Sequence, residues 1–172
     1  MNLVSMEYPS PIGPLVLVAG EDALRVLAFP ERGEAHRARL ARRLPGAAIR
    51  PGRAPRALLD ALDAYFAGEL NALDGVAVET GGTPFQQKVW RALRSIAPGA
   101  TQSYAWLARV AGAAAAVRAV GAANGANPVS VVLPCHRVVG SDGSLTGYGG
   151  GLERKRWLLA HEQRFCAGRR AG

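Results

Sequence analysis

The spacing of hydrophobic positions changes along the chain, and the changes divide it. Between Leu3 and Phe29 the apolar residues come in short runs bounded by turn-formers. Leu3–Tyr8, Leu15–Ala19 and Leu24–Phe29 read as strands, separated by Pro9-Ser10-Pro11-Ile12-Gly13-Pro14 and by Gly20-Glu21-Asp22, residue types that set tight turns. Strands joined so closely predict a meander. From Glu34 the period lengthens. Glu34–Leu44 alternates apolar and Arg positions at helical spacing, and Arg56–Ala67 gathers Leu58, Leu59, Leu62, Tyr65 and Phe66 on one side. Pro45–Pro55 reads as a loop between these helices, and Leu73–Glu79 as a last strand. Residues 1–80 are thus expected to form a small α/β layer.

Gly81-Gly82 marks a boundary, and residues 81–172 read as a second domain. Thr83-Pro84-Phe85-Gln86 is a helix start: Thr83 caps, Pro84 suits the first turn, and Gln86 completes a capping box. Phe85, Val89, Leu93 and Ile96 line one face before Pro98-Gly99 stops the helix. A second helix starts at Ser103, Gly112 turns the chain, and a third runs over about Ala113–Ala123 on alanine, the best helix former. Helix, short turn, helix is the helix-turn-helix arrangement. Its last helix carries one charge, Arg118, among small residues. The plainer reading is a slim buried helix; the functional one is a small-residue face that fits a narrow groove, with Arg118 inserted. Val129–Leu133 is a short β-branched run, and Leu158–Glu162 lies in a final helix.

Charge sharpens the division. The net charge of +8 is carried by the second half: residues 1–83 hold 9 Arg against 10 acids, whereas residues 84–172 hold 12 Lys/Arg against Asp142, Glu153 and Glu162. An Arg-rich genome would colour both halves, so the asymmetry points to nucleic acid as partner of the second. No apolar run approaches the roughly 18 residues of a membrane span. Leu15–Ala19 lacks the basic lead-in of a signal peptide. A cytoplasmic location is the expectation. Cys135 and Cys166 make no disulfide framework and have no CxxC spacing for zinc, so neither metal nor cofactor is expected.

The chemistry concentrates in Pro134-Cys135-His136-Arg137-Val138. A free cysteine is most often a buried small hydrophobe. A neighbouring base and cation shift that weighting, because a thiol needs one or the other to become a nucleophile at neutral pH. Adjacent residues of a strand point to opposite faces, so Cys135 and His136 cooperate only if the chain turns there or a water links them. Glu162 is a candidate to orient the base; an exposed helix carboxylate is the alternative. Gly147-Tyr148-Gly149-Gly150-Gly151 reads either as a linker or as a loop bringing backbone N–H groups to a ligand, with Tyr148 as a wall. Glu153-Arg154-Lys155-Arg156 reads as a solvated face, Cys166 as incidental, and Cys166–Gly172 as a frayed basic tail.

These motifs together resemble the methylated-DNA–protein-cysteine methyltransferases, or O6-alkylguanine-DNA alkyltransferases. The resemblance runs from Gly82-Thr83-Pro84-Phe85-Gln86-Gln87-Lys88-Val89-Trp90 through Ser103-Tyr104 and Val117-Arg118-Ala119-Val120-Gly121-Ala122-Ala123-Asn124. It continues through Asn127-Pro128, the Cys135 pentapeptide and Leu145-Thr146-Gly147-Tyr148-Gly149-Gly150-Gly151-Leu152. Ser10-Pro11-Ile12-Gly13-Pro14-Leu15 matches more loosely.

The resemblance implies an α+β protein: a ribonuclease-H-like α/β domain over residues 1–80, then a winged-helix-like domain over 81–172. It implies irreversible transfer of an alkyl group from O6-alkylguanine in double-stranded DNA to Cys135, with O4-alkylthymine as a further candidate. His136 would take the thiol proton through water, Glu162 would hold His136, and Asn127 would be the hinge. Tyr104 would flip the base and Arg118 fill its place, on a minor-groove face that includes Ala119 and Ala122. Tyr148, with the backbone at Val138 and Gly149, would line the guanine pocket. The chain is expected to act as a monomer. It departs from the pattern at Ala126 and at Ala113–Ala116, where many relatives carry basic or polar residues. Two alternatives are a non-catalytic sensor of alkylated DNA and a cysteine hydrolase using Cys135 and His161.

Overall fold

The computed structural model describes residues 1–170, which divide into two compact units. The first comprises Met1–Thr80 together with Pro128–Val132, and the second Gly81–Asn127 and Leu133 onward. Among the described residues no helix is long and apolar enough to cross a membrane.

In the first unit β1 (Asn2–Tyr8), β2 (Leu15–Ala19) and β3 (Leu24–Ala28) form the expected antiparallel meander. The first link turns at Gly13, whose N–H reaches Ser10 O at 3.1 Å. A fourth strand, β4 (Ala48–Pro51), pairs parallel with β1, giving the order β3-β2-β1-β4. It replaces part of the loop expected over Pro45–Pro55. Proline is tolerated there because β4 is an edge strand, where a missing N–H costs little. Conversely, Leu73–Glu79 is not a strand. Leu73–Gly75 lie in turns, and the remainder pairs with β3 at one bridge only, Leu24 to Val78, closed by Leu24 N–H on Ala77 O and Glu79 N–H on Leu24 O, both at 2.9 Å.

Helix α1 (Pro30–Arg43) starts four residues before the expected Glu34, because Pro30 presets the first helical φ. It lies against β2 and β3. Gly33 allows the close approach: a Cβ there would lie 2.5 Å from a Val16 methyl. Leu3, Val18, Val26, Ala28 and Leu40 form the core beneath it. Helix α2 (Arg56–Phe66) is tied to β1 by Tyr8, whose hydroxyl donates to Asp63 at 2.7 Å. The outer edge of β3 is covered rather than open. Besides Val78, it pairs with Val129 of the Pro128–Val132 excursion, through bonds of 2.9 and 2.7 Å. The β-branched run Val129–Leu133 is therefore one bridge followed by turns, with buried Val131 at φ +72°.

In the second unit α3 (Pro84–Leu93) begins at the capping box foreseen for Thr83 and Gln86. Trp90 donates its indole N–H to Ala123 O at 2.8 Å. The short strand β5 (Gln102–Ser103) leads into α4 (Tyr104–Val110), capped by Ser103. Helix α5 (Val117–Gly125) starts later than Ala113. The intervening alanines close a turn, with Ala113 N–H on Ala108 O and Ala116 N–H on Ala113 O, both at 2.8 Å. High propensity does not by itself start a helix where a local turn takes the donors. Strand β6 (Val138–Val139) pairs parallel with β5, and α6 (Leu152–Arg170) closes the unit. The supposed frayed tail is helical through Arg170; residues 171–172 lie outside the described residues.

Candidate active site

Cys135, His136 and Arg137 do not continue a strand: they form one 3₁₀ turn. Its entry is fixed by Cys135 N–H on Leu133 O at 2.8 Å and Arg137 N–H on Pro134 O at 3.0 Å. The turn supplies what extended backbone could not, namely adjacent side chains that need not point to opposite faces. All three residues are buried, His136 completely. Asn127 closes the neck of the excursion, donating Nδ2–H to Leu133 O at 2.9 Å. Neighbouring Asn124 reaches Cys135 O at 3.5 Å.

Glu162 comes from α6 with no exposed side-chain surface, and its two oxygens collect donors from three directions. Oε1 meets His136 Nε2 at 2.8 Å and Arg137 Nη2 at 2.9 Å. Oε2 accepts from Arg137 Nε at 3.0 Å and from the Gly99 N–H at 3.2 Å. Burial alone would raise this carboxyl, but the His136 and Arg137 contacts hold it well below the usual carboxylate range. A carboxylate against Nε2 assigns the ring proton to that nitrogen. Nδ1 is then the acceptor of a neutral imidazole. Buried Nδ1 has no hydrogen-bond partner within the protein, so its lone pair is available to an incoming proton. Burial pushes the His136 pKa down, and so do Arg137 and Lys155, against the pull of Glu162.

Lys155 corrects the sequence reading. It is fully buried, not part of a solvated face. Its ammonium donates to Val138 O at 2.6 Å and Thr146 O at 2.9 Å. The signal was helical phase: Lys155, Leu158 and Glu162 stand at i, i+3 and i+7, one face of α6. Burial raises the Cys135 thiol pKa, while a hydrogen bond from Asn127 and the charge of Lys155 draw it back toward the thiolate. Arg137 is the cation that the sequence places beside the thiol. It is buried, with Nη1 donating to Ile96 O at 2.6 Å.

Among the expected site residues, His136 meets Glu162 and Asn127 hydrogen-bonds Cys135, the residue before His136 in the same turn. Val138 lies in β6, its carbonyl already engaged by Lys155. Tyr104 opens α4 and donates its hydroxyl to Thr146 O at 3.3 Å, so Tyr104 and Lys155 converge on one carbonyl of the glycine-rich loop. Tyr148 and Gly149 are half-buried in that loop. Arg118, Ala119 and Ala122 are exposed on α5 beside Val117, so the slim helix is not a buried one. His161 is stacked on Trp157 at 4.8 Å between ring centroids and edges onto Phe165. A ring held in an aromatic ladder gives no support to a Cys135–His161 hydrolase.

Comparison with known proteins bears on the same residues. Residues 84–164 match the family described as 6-O-methylguanine DNA methyltransferase, DNA binding domain, and residues 4–80 its ribonuclease-like domain. The methylated-DNA–protein-cysteine methyltransferase of Salmonella typhimurium is 45% identical over 169 residues, covering 94% of this chain and 96% of its own. That of Mycolicibacterium paratuberculosis is 54% identical over 113 residues, 64% of this chain and 68% of its own. Among solved structures, Mycobacterium tuberculosis OGT in complex with DNA superposes with a TM-score of 0.77 at 41% identity, covering 96% of this chain and 94% of that one. The O6-methylguanine-DNA methyltransferase of Pyrococcus kodakaraensis gives 0.68 at 26% identity, with 93% and 98% covered.

Proposed function

Because the chain belongs to the methylated-DNA–protein-cysteine methyltransferase family, we propose that Cys135 is the residue that accepts the alkyl group. The protein is a DNA-repair enzyme that works by alkyl transfer to cysteine, and DNA is its partner. The substrate of this reading is O6-alkylguanine in duplex DNA. The observation that carries it is the buried cluster in which Glu162 fixes the His136 tautomer and leaves Nδ1 as an acceptor, in the same 3₁₀ turn as Cys135.

In the reaction, Cys135 Sγ attacks the alkyl carbon. The S–C bond forms as the C–O6 bond breaks. The thiol proton passes to His136 Nδ1 through a water and ends on the released guanine, so no other reagent is consumed. Asn127 and Lys155 favour the thiolate that burial opposes. The thioether is stable, and each molecule acts once.

A base inside a duplex must be extruded to reach a buried thiol. The exposed face of Arg118, Ala119 and Ala122 supports entry from the minor groove, where small residues allow close approach and Arg118 fills the vacated stack. Tyr104 acts at the start of α4, and Tyr148 with Gly149 walls the base pocket.

The test is mass spectrometry after incubation with an O6-methylguanine duplex. One methyl group is expected on the peptide containing Cys135. A methyl on Cys166, or unmodified protein with the lesion intact, would contradict the assignment.

A further inference from the structure

The His136–Glu162 pair is not alone: a third charged side chain shares its carboxylate. Arg137 holds Glu162 in a two-pronged grip, Nη2 on Oε1 at 2.9 Å and Nε on Oε2 at 3.0 Å, and the first of these oxygens also faces His136 Nε2. Its remaining prong is fastened elsewhere, Nη1 on Ile96 O at 2.6 Å. The guanidinium is therefore fixed by the backbone that follows α3 as well as by its partner. A bidentate Arg–carboxylate pair in a buried site is charge-neutral and geometrically specific.

We propose that Arg137 is a positioning and charge-balancing residue that keeps His136 a neutral base until Cys135 gives up its proton. This deepens the reading above and rests on it. An unbalanced buried carboxylate 2.8 Å from Nε2 would favour imidazolium, and an imidazolium has no lone pair at Nδ1 to accept the thiol proton. Arg137 cancels that pull. The other charged group acting on the ring is Lys155, on the same helix as Glu162, which also opposes imidazolium; Cys135 precedes the ring in its own turn and faces Lys155. The low pKa of His136 is consistent with this balance, burial being its largest cause. A merely structural Arg137 would leave the protonation of His136 unchanged when replaced.

The experiment is the pH dependence of single-turnover methyl transfer from an O6-methylguanine duplex. In Arg137→Gln the acid limb is expected to move up by about one to two pH units, the range an uncompensated neighbouring charge produces. Below both limbs this is a loss of about ten- to hundredfold relative to wild type, each rate being taken against its own plateau. Arg137→Lys keeps the charge, so its limb should stay at the wild-type position even if its plateau falls. Arg137→Gln combined with Glu162→Gln removes both charges and should bring the limb back down. A uniform rate loss with an unmoved limb in Arg137→Gln, or a limb that moves with Arg137→Lys as far as with Arg137→Gln, would overturn the proposal.

Should Arg137→Gln not fold, ¹⁵N-histidine NMR of the wild-type protein decides. A neutral His136 ring with its proton on Nε2 at pH 7 is expected, and an imidazolium at pH 7 would overturn it. Failure of the underlying reading is separately visible, because the wild-type protein would then carry no methyl on Cys135.

Discussion

At the scale of single residues, Lys155 is the side chain whose position most changes the chemistry. A buried ammonium is unfavourable unless its donors are matched and its charge is used. Here two carbonyls, Val138 O and Thr146 O, take its protons, and its charge acts on Cys135. Lys155→Met keeps the length and loses both functions. Two carbonyls left unsatisfied cost roughly 1–3 kcal/mol each, but removing a desolvated charge returns part of that. Net stability should therefore change little, while thiol chemistry changes more. In the variant, the pH at which Cys135 reacts with iodoacetamide should rise, and methyl transfer at pH 7.5 should slow about tenfold per unit of thiol pKa. A thiol titration unchanged from wild type would show that Lys155 only props the loop. The distinction matters because Val138 O, engaged by Lys155, lies three residues from the nucleophile.

At the scale of elements, the joint between the end of α3 and α6 holds the relay in place. Gly99 stands at φ +80°, and a Cβ there would fall 2.6 Å from Cys166 Sγ. Its N–H bonds Glu162, its carbonyl accepts from Gln163 at 2.7 Å, and Cys166 Sγ bonds Pro98 O at 3.2 Å. Cys166 is thus a packing partner of the joint rather than incidental. Gly99→Ala combines a left-handed backbone penalty of about 1 kcal/mol with a steric term of about 1–3 kcal/mol. Urea unfolding should show the sum. Adding Cys166→Ala should recover part of the steric share and leave the backbone share. A Gly99→Ala protein as stable as wild type would refute this account of the joint.

What the sequence revealed of the elements divides along the same physical line. The α3 capping box and the meander were legible because neighbouring residues specify them. Misread were β4, Leu73–Glu79, Val129–Leu133 and the starts of α1 and α5. For β4, Val78 and Val129 the pairing partners lie far off in sequence, whereas α5 is delayed by a local turn whose hydrogen bonds compete with the helix. The candidate site was legible in Cys135, His136, Glu162 and Asn127 through the family motif. Lys155 was lost in a run of charges, although its helical phase with Glu162 pointed inward.

At the scale of the molecule, both units bury a histidine in neutral form, and this governs the response to acid. In the first unit His36 lies on α1 with its ring enclosed, and its pKa is pushed down to about 4 by burial, then by Arg39 and Arg32 on the same helix. An unfolded histidine titrates near 6.5. Above that value both states are neutral and the contribution of His36 to stability is complete. As the pH falls from about 6.5 toward 4, the unfolded chain binds a proton that the folded one refuses, and stability drains away. The loss approaches roughly 3 kcal/mol at the lower end. His136 is shifted in the same direction and adds to the loss in the second unit. Glu162 runs on a different window: its carboxyl is held far below its unfolded value, so its contribution persists until the pH drops below about 4. Acid sensitivity should therefore begin in the histidine range, while the ion pairs of the relay remain charged. Thermal unfolding at pH 7.5 and 5.0 should show a clear fall in Tm for the wild-type protein. His36→Phe should shrink that fall without removing it, because His136 still titrates. An equal fall in both proteins would mean that His36 gains its proton in the folded state as readily as in the unfolded one.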